Sequence, residues 1–154
     1  MASVPYERVH TVTDYYDGPR DGLADYNGKP HRYQSEWDEA ADEWAETFLL
    51  TPIDEATFNL EMERWRIWRA WERAFHAGEV SQDTHPGVGG KNDRYDELNE
   101  LIATRLGGTE PPGIRVVAKF RAIHGIEAPK GVMRDLEVEW GLPPNKSLER
   151  TREG

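Results

Sequence analysis

The chain contains no cysteine, and its 154 residues include only 19 basic side chains against 29 acidic ones. Without cysteine a disulfide framework, a thiolate metal site and a cysteine nucleophile are all impossible, and we expect a reducing cytoplasm as its location. The net charge of −10 repels phosphate backbones and anionic membrane surfaces, so neither nucleic acid nor membrane is an expected partner. No apolar run approaches the ~20 residues that span a bilayer, and the first residues lack the features of a signal peptide.

What the chain does contain is typical of one folded domain. Hydrophobic residues make up 37% of it, and six tryptophans and six tyrosines provide large apolar side chains for a core. We predict a single α+β domain over residues 1–141, followed by an extended or mobile tail over residues 142–154.

Turn signals divide the first third of the chain into strands. Residues 8–16 are rich in β-branched and aromatic side chains and end at Asp17, Gly18 and Pro19. The pair Asn27 and Gly28 is typical of a type I′ turn, which predicts a hairpin of residues 22–26 and 31–37. Residues 38–46 are compatible with a short acidic helix or with an excursion before a strand at 47–51, and the sequence leaves both open.

Two helices are indicated by their ends and their periodicity. Thr51 and Pro52 provide a capping hydroxyl and a first-turn proline, which predicts a long helix over residues 52–77 that Gly78 ends. Apolar side chains recur at helical spacing over residues 92–106, before Gly107. The last regular segments, 114–122 and 132–140, alternate as an antiparallel hairpin with Ala118 opposite Leu136.

These elements predict an α+β fold. Its antiparallel sheet consists of the N-terminal meander and the C-terminal hairpin, and it packs on the long tryptophan-rich helix and the second helix.

The long helix has two apolar sides. One stripe is a core face, formed by Ile53, Leu60, Ile67 and Ala74 and widened by Ala56, Trp68, Trp71 and Phe75. A second line, formed by Phe58, Met62 and Trp65, lies roughly opposite. Either the helix is sandwiched between the sheet and another segment, or this second line contacts a partner, most simply another copy of the chain.

Side chains able to transfer protons or bind a ligand are dense in the N-terminal meander. The candidates for ligand binding are His10, Asp14, Tyr16, His31 and Tyr33. Alternation puts the first three on one side and the last two on another, so a site requires both sides to converge in one cleft. The alternative is a polar sheet face with aromatic cross-strand pairs.

A metal site and an enzymatic motif are not indicated. His76, Asp83 and His85 form the closest grouping of metal-ligand types, but their spacing matches no metal motif, and a histidine at a helix end also favours the helix dipole. Nucleophile elbows, phosphate-binding loops and dinucleotide fingerprints are missing from the sequence. We therefore assign no catalytic residue, no metal and no cofactor.

Acidic side chains crowd one stretch. They are Asp38, Glu39, Asp42, Glu43, Glu46, Asp54 and Glu55. Such a run is either a solvated face or a mimic of phosphates that plugs the basic cleft of a toxin or nuclease.

The first part of the sequence and its last residues each resemble a known group of proteins. Residues 9–20 (Val-His-Thr-Val-Thr-Asp-Tyr-Tyr-Asp-Gly-Pro-Arg), 27–31 (Asn-Gly-Lys-Pro-His), 35–38 (Ser-Glu-Trp-Asp) and 49–54 (Leu-Leu-Thr-Pro-Ile-Asp) resemble small uncharacterised bacterial proteins over about the first hundred residues. Residues 145–152 (Asn-Lys-Ser-Leu-Glu-Arg-Thr-Arg) resemble read-through tails of open reading frames in mobile integron gene cassettes. The resemblance implies an accessory protein of a mobile element and brings no activity with it.

The leading hypothesis is a non-enzymatic binding or interaction protein that forms a homodimer through Phe58, Met62 and Trp65. Its partner is then a second copy of the chain or another protein. The rival hypothesis is a small enzyme or ligand-binding domain that uses the histidine, tyrosine and aspartate groups of the meander. An acidic inhibitor of a basic toxin or nuclease is the third.

Overall fold

The computed structural model describes residues 6–107 and 113–143, which form one antiparallel sheet and two α-helices. In chain order the elements are β1 (Glu7–Arg8), β2 (Asp14–Tyr15), β3 (Pro19–Tyr26), β4 (Lys29–Asp38), β5 (Glu43–Pro52), α1 (Glu55–His76), α2 (Asp93–Leu106), β6 (Ile114–Ala122) and β7 (Leu136–Gly141). The predicted α+β class is confirmed, with the meander and the C-terminal hairpin in one sheet. Neither helix in these ranges combines the length and the apolar character needed to cross a membrane.

The N-terminal segment joins the two ends of the sheet. The strand order is β1-β7-β6-β5-β4-β3-β2, and β1 and β2 both belong to residues 7–15. Between them Val9 pairs with Ala24, and the Thr13 amide donates to the Asp21 carbonyl at 2.8 Å. The sheet therefore curls until its first and last strands share one segment, which gives it an inner and an outer face.

Aromatic side chains fill the inner face. Tyr33 and Leu50, which pair across β4 and β5, expose none of their surface. The Tyr33 ring lies 6.1 Å from Phe48 and 6.2 Å from Trp140, centroid to centroid. Its hydroxyl donates to the Thr11 carbonyl at 2.8 Å, and burial, followed by the charge of Asp21, raises the Tyr33 pKa. Alternation along the strands thus puts one side of each strand into the core.

The long helix begins later than the sequence predicts. Pro52 is the last residue of β5, and the N-cap is Asp54, whose Oδ1 accepts from the Thr57 amide at 2.7 Å. Hydrogen bonding to Thr57 lowers the Asp54 pKa. The predicted end is confirmed, because α1 stops at His76 and Gly78 adopts a φ of 78°.

Helix α1 lies between the sheet and α2. The ring of Phe58 stands edge-on to His10 of the N-terminal segment at 5.0 Å. On its other side, Arg94 of α2 donates to both carboxylate oxygens of Glu63, at 2.6 and 2.7 Å. Helix α2 has the bounds that its periodicity predicts, with Asn92 as its N-cap. Helix α1 therefore has both of the neighbours that the sandwich arrangement requires.

One open alternative is decided and one local prediction is corrected. Residues 38–46 form no helix, since β4 runs to Asp38 and β5 starts at Glu43 after a turn in which Asp42 has a φ of 54°. In the C-terminal hairpin Ala118 faces Trp140 rather than Leu136, a shift of four residues along β7. An even shift keeps every side chain on its face, so alternation alone cannot detect it. Of the predicted tail, residues 144–154 lie outside the described part of the chain.

Gly22 in β3 provides a test of the closed sheet. A Cβ there would overlap the Thr11 carbonyl oxygen and lie 2.6 Å from the Tyr33 hydroxyl. We expect Gly22→Ala to reduce the free energy of unfolding by at least about 3 kcal/mol, because the backbone of the N-terminal segment must move. Urea denaturation measures this.

Gly141→Ala in β7 is the matched control, because among the described residues its Cβ would meet only Val117 Cγ2, at 3.2 Å. We expect it to cost less than about 1.5 kcal/mol. Equal losses for the two variants would contradict the close approach of β3 to residue 11.

Candidate functional site

A cavity of about 360 Å³ lies between the N-terminal segment and the helices. Residues 12–15 form one wall. Helix α1 contributes a second, with Glu61, Arg64, Trp65 and Trp68. The remaining lining side chains come from other parts of the chain and are His85, Tyr95 and Met133. A concave site of this size, largely apolar with a few polar groups, is typical of small-molecule binding.

The wall that α1 supplies is one face of the helix. Relative to Glu61, the other three residues follow at three, four and seven positions, which places all four side chains on the same side. Trp65 also packs against the core of the sheet. The helix face that borders the sheet therefore carries a carboxylate and a guanidinium beside two indole rings.

Glu61 is the most unusual group in this wall. The residue is 5% exposed, and its Oε1 accepts a long hydrogen bond of 3.4 Å from Arg64 Nη2. Its Oε2 is buried and has no hydrogen-bond partner among the described residues. Burial raises the Glu61 pKa, with a smaller contribution from the charge of Asp21, while Arg64 and Arg32 oppose the shift. A buried acceptor without a donor is uncommon in folded proteins.

The guanidinium of Arg64 is already engaged. Its Nη1 donates to Asn99 Oδ1 of α2 at 3.0 Å, and its Nη2 donates to Glu61. The side chain thus ties α1 to α2 beside the cavity. These two bonds use two of its five N–H donors, and the carboxylate of Glu61 offsets part of its charge for an incoming anion.

The loop between the helices places His85 against the tryptophans. Its ring centroid lies 4.8 Å from that of Trp68 and 4.6 Å from that of Trp71. The Trp71 indole donates to Thr84 Oγ1 at 2.8 Å, which holds this loop on the helix. The Gly87 amide donates to His85 Nδ1 at 2.9 Å, so Nδ1 acts as the acceptor.

Met133 is held in the cavity wall by two charged residues of α1. Arg69 donates to the Met133 carbonyl at 2.9 Å and to Asp135 Oδ1 at 3.2 Å. Glu72 accepts from Arg69 through Oε1 and from the Met133 amide, at 3.1 Å, through Oε2. This network attaches the segment before β7 to the helix and fixes one side of the cavity.

The ligand-binding candidates from the meander do not converge. His31 and Tyr33 are buried, and His31 Nδ1 donates to the Lys29 carbonyl at 2.8 Å. His10 Nε2 lies 2.8 Å from Asp25 Oδ1, under Phe58 of α1. Tyr16 is 68% exposed. Asp14 alone of the five candidates lines the cavity.

The three predicted interface residues all belong to the half-buried part of α1. Phe58 contacts His10, and Trp65 contacts the core and carries the Arg69 guanidinium 5.5 Å from its ring centroid. Their contacts within the chain leave less of their surface for a partner. Self-association through Phe58, Met62 and Trp65 stays a prediction.

The structure also places the histidines considered as metal ligands and the acidic residues of the predicted acidic run. Within residues 6–107 and 113–143 no three histidine or acidic side chains are arranged to hold a metal ion. His76 lies against Gly131, whereas the ring of His85 is tilted against Trp68 and Trp71. The acidic residues separate into two groups, Asp38 to Glu46 around the β4–β5 turn and Asp54 and Glu55 at the start of α1, with most of β5 between them.

No protein family, curated protein or solved structure matches the chain. The site therefore rests on its geometry. The sequence analysis missed Glu61, Arg64 and Tyr95 and divided Trp65 and Trp68 between two apolar lines. The helical spacing of Glu61, Arg64, Trp65 and Trp68 was the signal that could have grouped four of these five residues.

Glu61 makes the stability of the fold depend on pH. Its pKa in the folded chain lies above the value of 4.5 for a free glutamate, so folding favours its protonated form. The free energy of unfolding should therefore fall as pH rises through about 4.5 towards the raised pKa. Glu61→Gln removes this titration, so its stability relative to wild type should increase between about pH 4 and pH 7.

Urea denaturation at several pH values checks this, with Asp14→Asn as the control, since Asp14 is an exposed carboxylate of the same cavity. A stability difference between Glu61→Gln and wild type that stays constant over this range would show that Glu61 is not destabilised by burial.

Proposed function

We propose that the chain is a non-enzymatic binding protein that takes a small organic molecule in the cavity between residues 12–15 and the helices. The observation that carries the proposal is a cavity of about 360 Å³ whose wall includes Glu61, a buried carboxylate acceptor with one long hydrogen bond, from Arg64, among the described residues. A ligand donor would satisfy this acceptor, and the aromatic walls would cover the body of the ligand.

The polar groups of the cavity favour binding over catalysis. General acid–base chemistry needs groups within hydrogen-bond reach of each other or of one reacting atom. Nδ1 of His85 is occupied by Gly87, and Arg64 is bonded to Asn99 and Glu61. The rival hypothesis of an enzyme built on the meander loses support because His10, His31 and Tyr33 have separate partners.

Filling the cavity tests the proposal. Thr13 lines it with an exposed side chain, so Thr13→Trp should fold and occupy the ligand volume. We expect fragments found by ligand-observed NMR to bind wild type and to lose at least about tenfold in affinity to this variant, which corresponds to 1.4 kcal/mol.

The matched control is Thr104→Trp, the same substitution at an exposed threonine on α2 that does not line the cavity. Its affinities should equal those of wild type. Fragments that bind Thr13→Trp as well as they bind wild type would place the binding elsewhere and overturn the proposal.

Self-association is a second part of the proposed function. We expect wild type to be a dimer in light scattering coupled to size exclusion, and Met62→Glu to be a monomer because a charge would enter the contact. Leu101→Glu, at an exposed position of α2, is the control and should leave the dimer intact. A monomeric wild type at every accessible concentration would remove the dimer from the proposal.

The remaining expectations from the sequence stay proposals. They are the cytoplasmic location, the origin in a mobile bacterial element, the lack of nucleic-acid and membrane partners, and the inhibition of a basic toxin or nuclease. The separation of the acidic residues into two groups weakens the last of these, because a phosphate mimic needs one continuous acidic surface.

A further inference from the structure

The charges around the cavity have an acidic balance. Glu61 and Asp14 both line it, whereas Arg64 is its one guanidinium among the described lining residues. Behind Glu61, Arg32 binds Asp21 through two nitrogens, at 3.2 and 3.0 Å, so these two charges largely offset each other. The whole chain adds a net charge of −10, which raises the local concentration of cations.

The hydrogen-bonding capacity of the wall is also one-sided. An ionised carboxylate only accepts hydrogen bonds, and Glu61 Oε2 receives none from the described residues. Arg64 uses one N–H of each terminal nitrogen on Asn99 and Glu61. The ligand group that matches this wall carries N–H donors, because an acceptor or an anion would leave Glu61 with its one long hydrogen bond from Arg64 and add repulsion.

The aromatic side chains favour a flat, positively charged body. Trp65, Trp68 and Tyr95 line the cavity from two helices, and Tyr15 lines its N-terminal side. Aromatic faces attract cations, and Trp65 already holds the Arg69 guanidinium 5.5 Å from its ring centroid. A planar cation gains binding free energy both from stacking on the aromatic rings and from its charge.

We propose that the cavity takes a planar organic cation of the amidinium or guanidinium type, whose N–H groups donate to Glu61 and whose flat body lies against Trp65 and Trp68. The inference rests on the proposed binding function and adds the chemical class of the ligand. Glu61 supplies the charge selectivity, and the indole rings supply the shape selectivity.

Three probes of nearly equal size and shape test the class directly. They are benzamidine, which is a cation, benzamide, which is neutral, and benzoate, which is an anion. Titration calorimetry of wild type near neutral pH should give benzamidine at least about tenfold tighter than benzamide, with benzoate the weakest, because the amidinium makes a charge-assisted pair with a carboxylate. Equal affinities for benzamidine and benzamide would overturn the inference.

Glu61→Gln assigns the preference to one residue while it keeps the shape of the side chain. Benzamidine should lose about tenfold in affinity for this variant, and benzamide should change less than about threefold. Glu100→Gln is the control, because it is the same substitution at an exposed glutamate of α2 that does not line the cavity, and it should change either affinity by less than about threefold. A preference for benzamidine that survives in folded Glu61→Gln would show that Glu61 is not the recognition group.

The two proposals fail in different ways. If the three probes bind wild type with equal affinity and Thr13→Trp abolishes their binding, the ligand-binding cavity is supported and the preference for a cation is overturned. Probes and fragments with the same affinity for Thr13→Trp as for wild type would overturn both the binding cavity and the cation. If Glu61→Gln does not fold, the ranking of the three probes on wild type still decides the ligand class.

Discussion

The closure of the sheet by residues 7–15 is the constraint on which the other features depend. One segment pairs with β7 at its start and with β3 further along, through Val9 and the Thr13 amide. A sheet closed in this way has its inside filled by its own side chains, so both helices must pack outside it. The same segment then supplies residues 12–15 as a wall of the cavity. The segment that closes the sheet therefore also forms part of the candidate site.

Two buried glutamates of α1 differ in how completely their carboxylates are hydrogen-bonded. Glu72 has a partner for each oxygen, Arg69 for Oε1 and the Met133 amide for Oε2. Glu61 is equally buried, yet it has one long hydrogen bond from Arg64. Fully satisfied buried carboxylates contribute to a fixed architecture, whereas an under-satisfied one is costly to the folded state. The contrast identifies Glu72 as structural, whereas Glu61 is the less fully hydrogen-bonded of the two.

The sequence predicted those parts of the fold that local chemistry decides. The Asn27–Gly28 turn and helix α2 follow from residues close together in the chain, and the structure confirms them. The start of α1 was placed wrongly because Pro52 is compatible with a first helical turn and equally with the end of a strand. Only the length of β5, which pairs with β4 up to this proline, distinguishes the two.

Most of the candidate site could not be predicted from the sequence. Its walls come from residues 12–15, α1, the loop at His85, α2 and the segment before β7, and no spacing rule relates positions so far apart. Periodicity assigned the stripe through Leu60 and Ile67 to the core, but the buried residues of α1 are Thr57, Glu61 and Glu72. It gave Glu61 no weight because a charged residue on a helix is normally solvated. Asp14 was named for its chemistry, and its place in the cavity depends on where the closed sheet meets α1.

The acidic β4–β5 turn also takes on a physical meaning once the strand pairings are known. Strand β6 pairs with β5 over residues 47–50, and in the described chain the first residues of β5 have β4 as their neighbour on one side and no strand on the other. Unpaired backbone groups of this kind recruit strands from other molecules, which leads to aggregation. Glu43 and Glu46 lie on this open stretch with exposed carboxylates, and Asp38 and Glu39 flank it. Like charges on two such edges repel each other, which opposes the pairing of sheets from two copies of the chain.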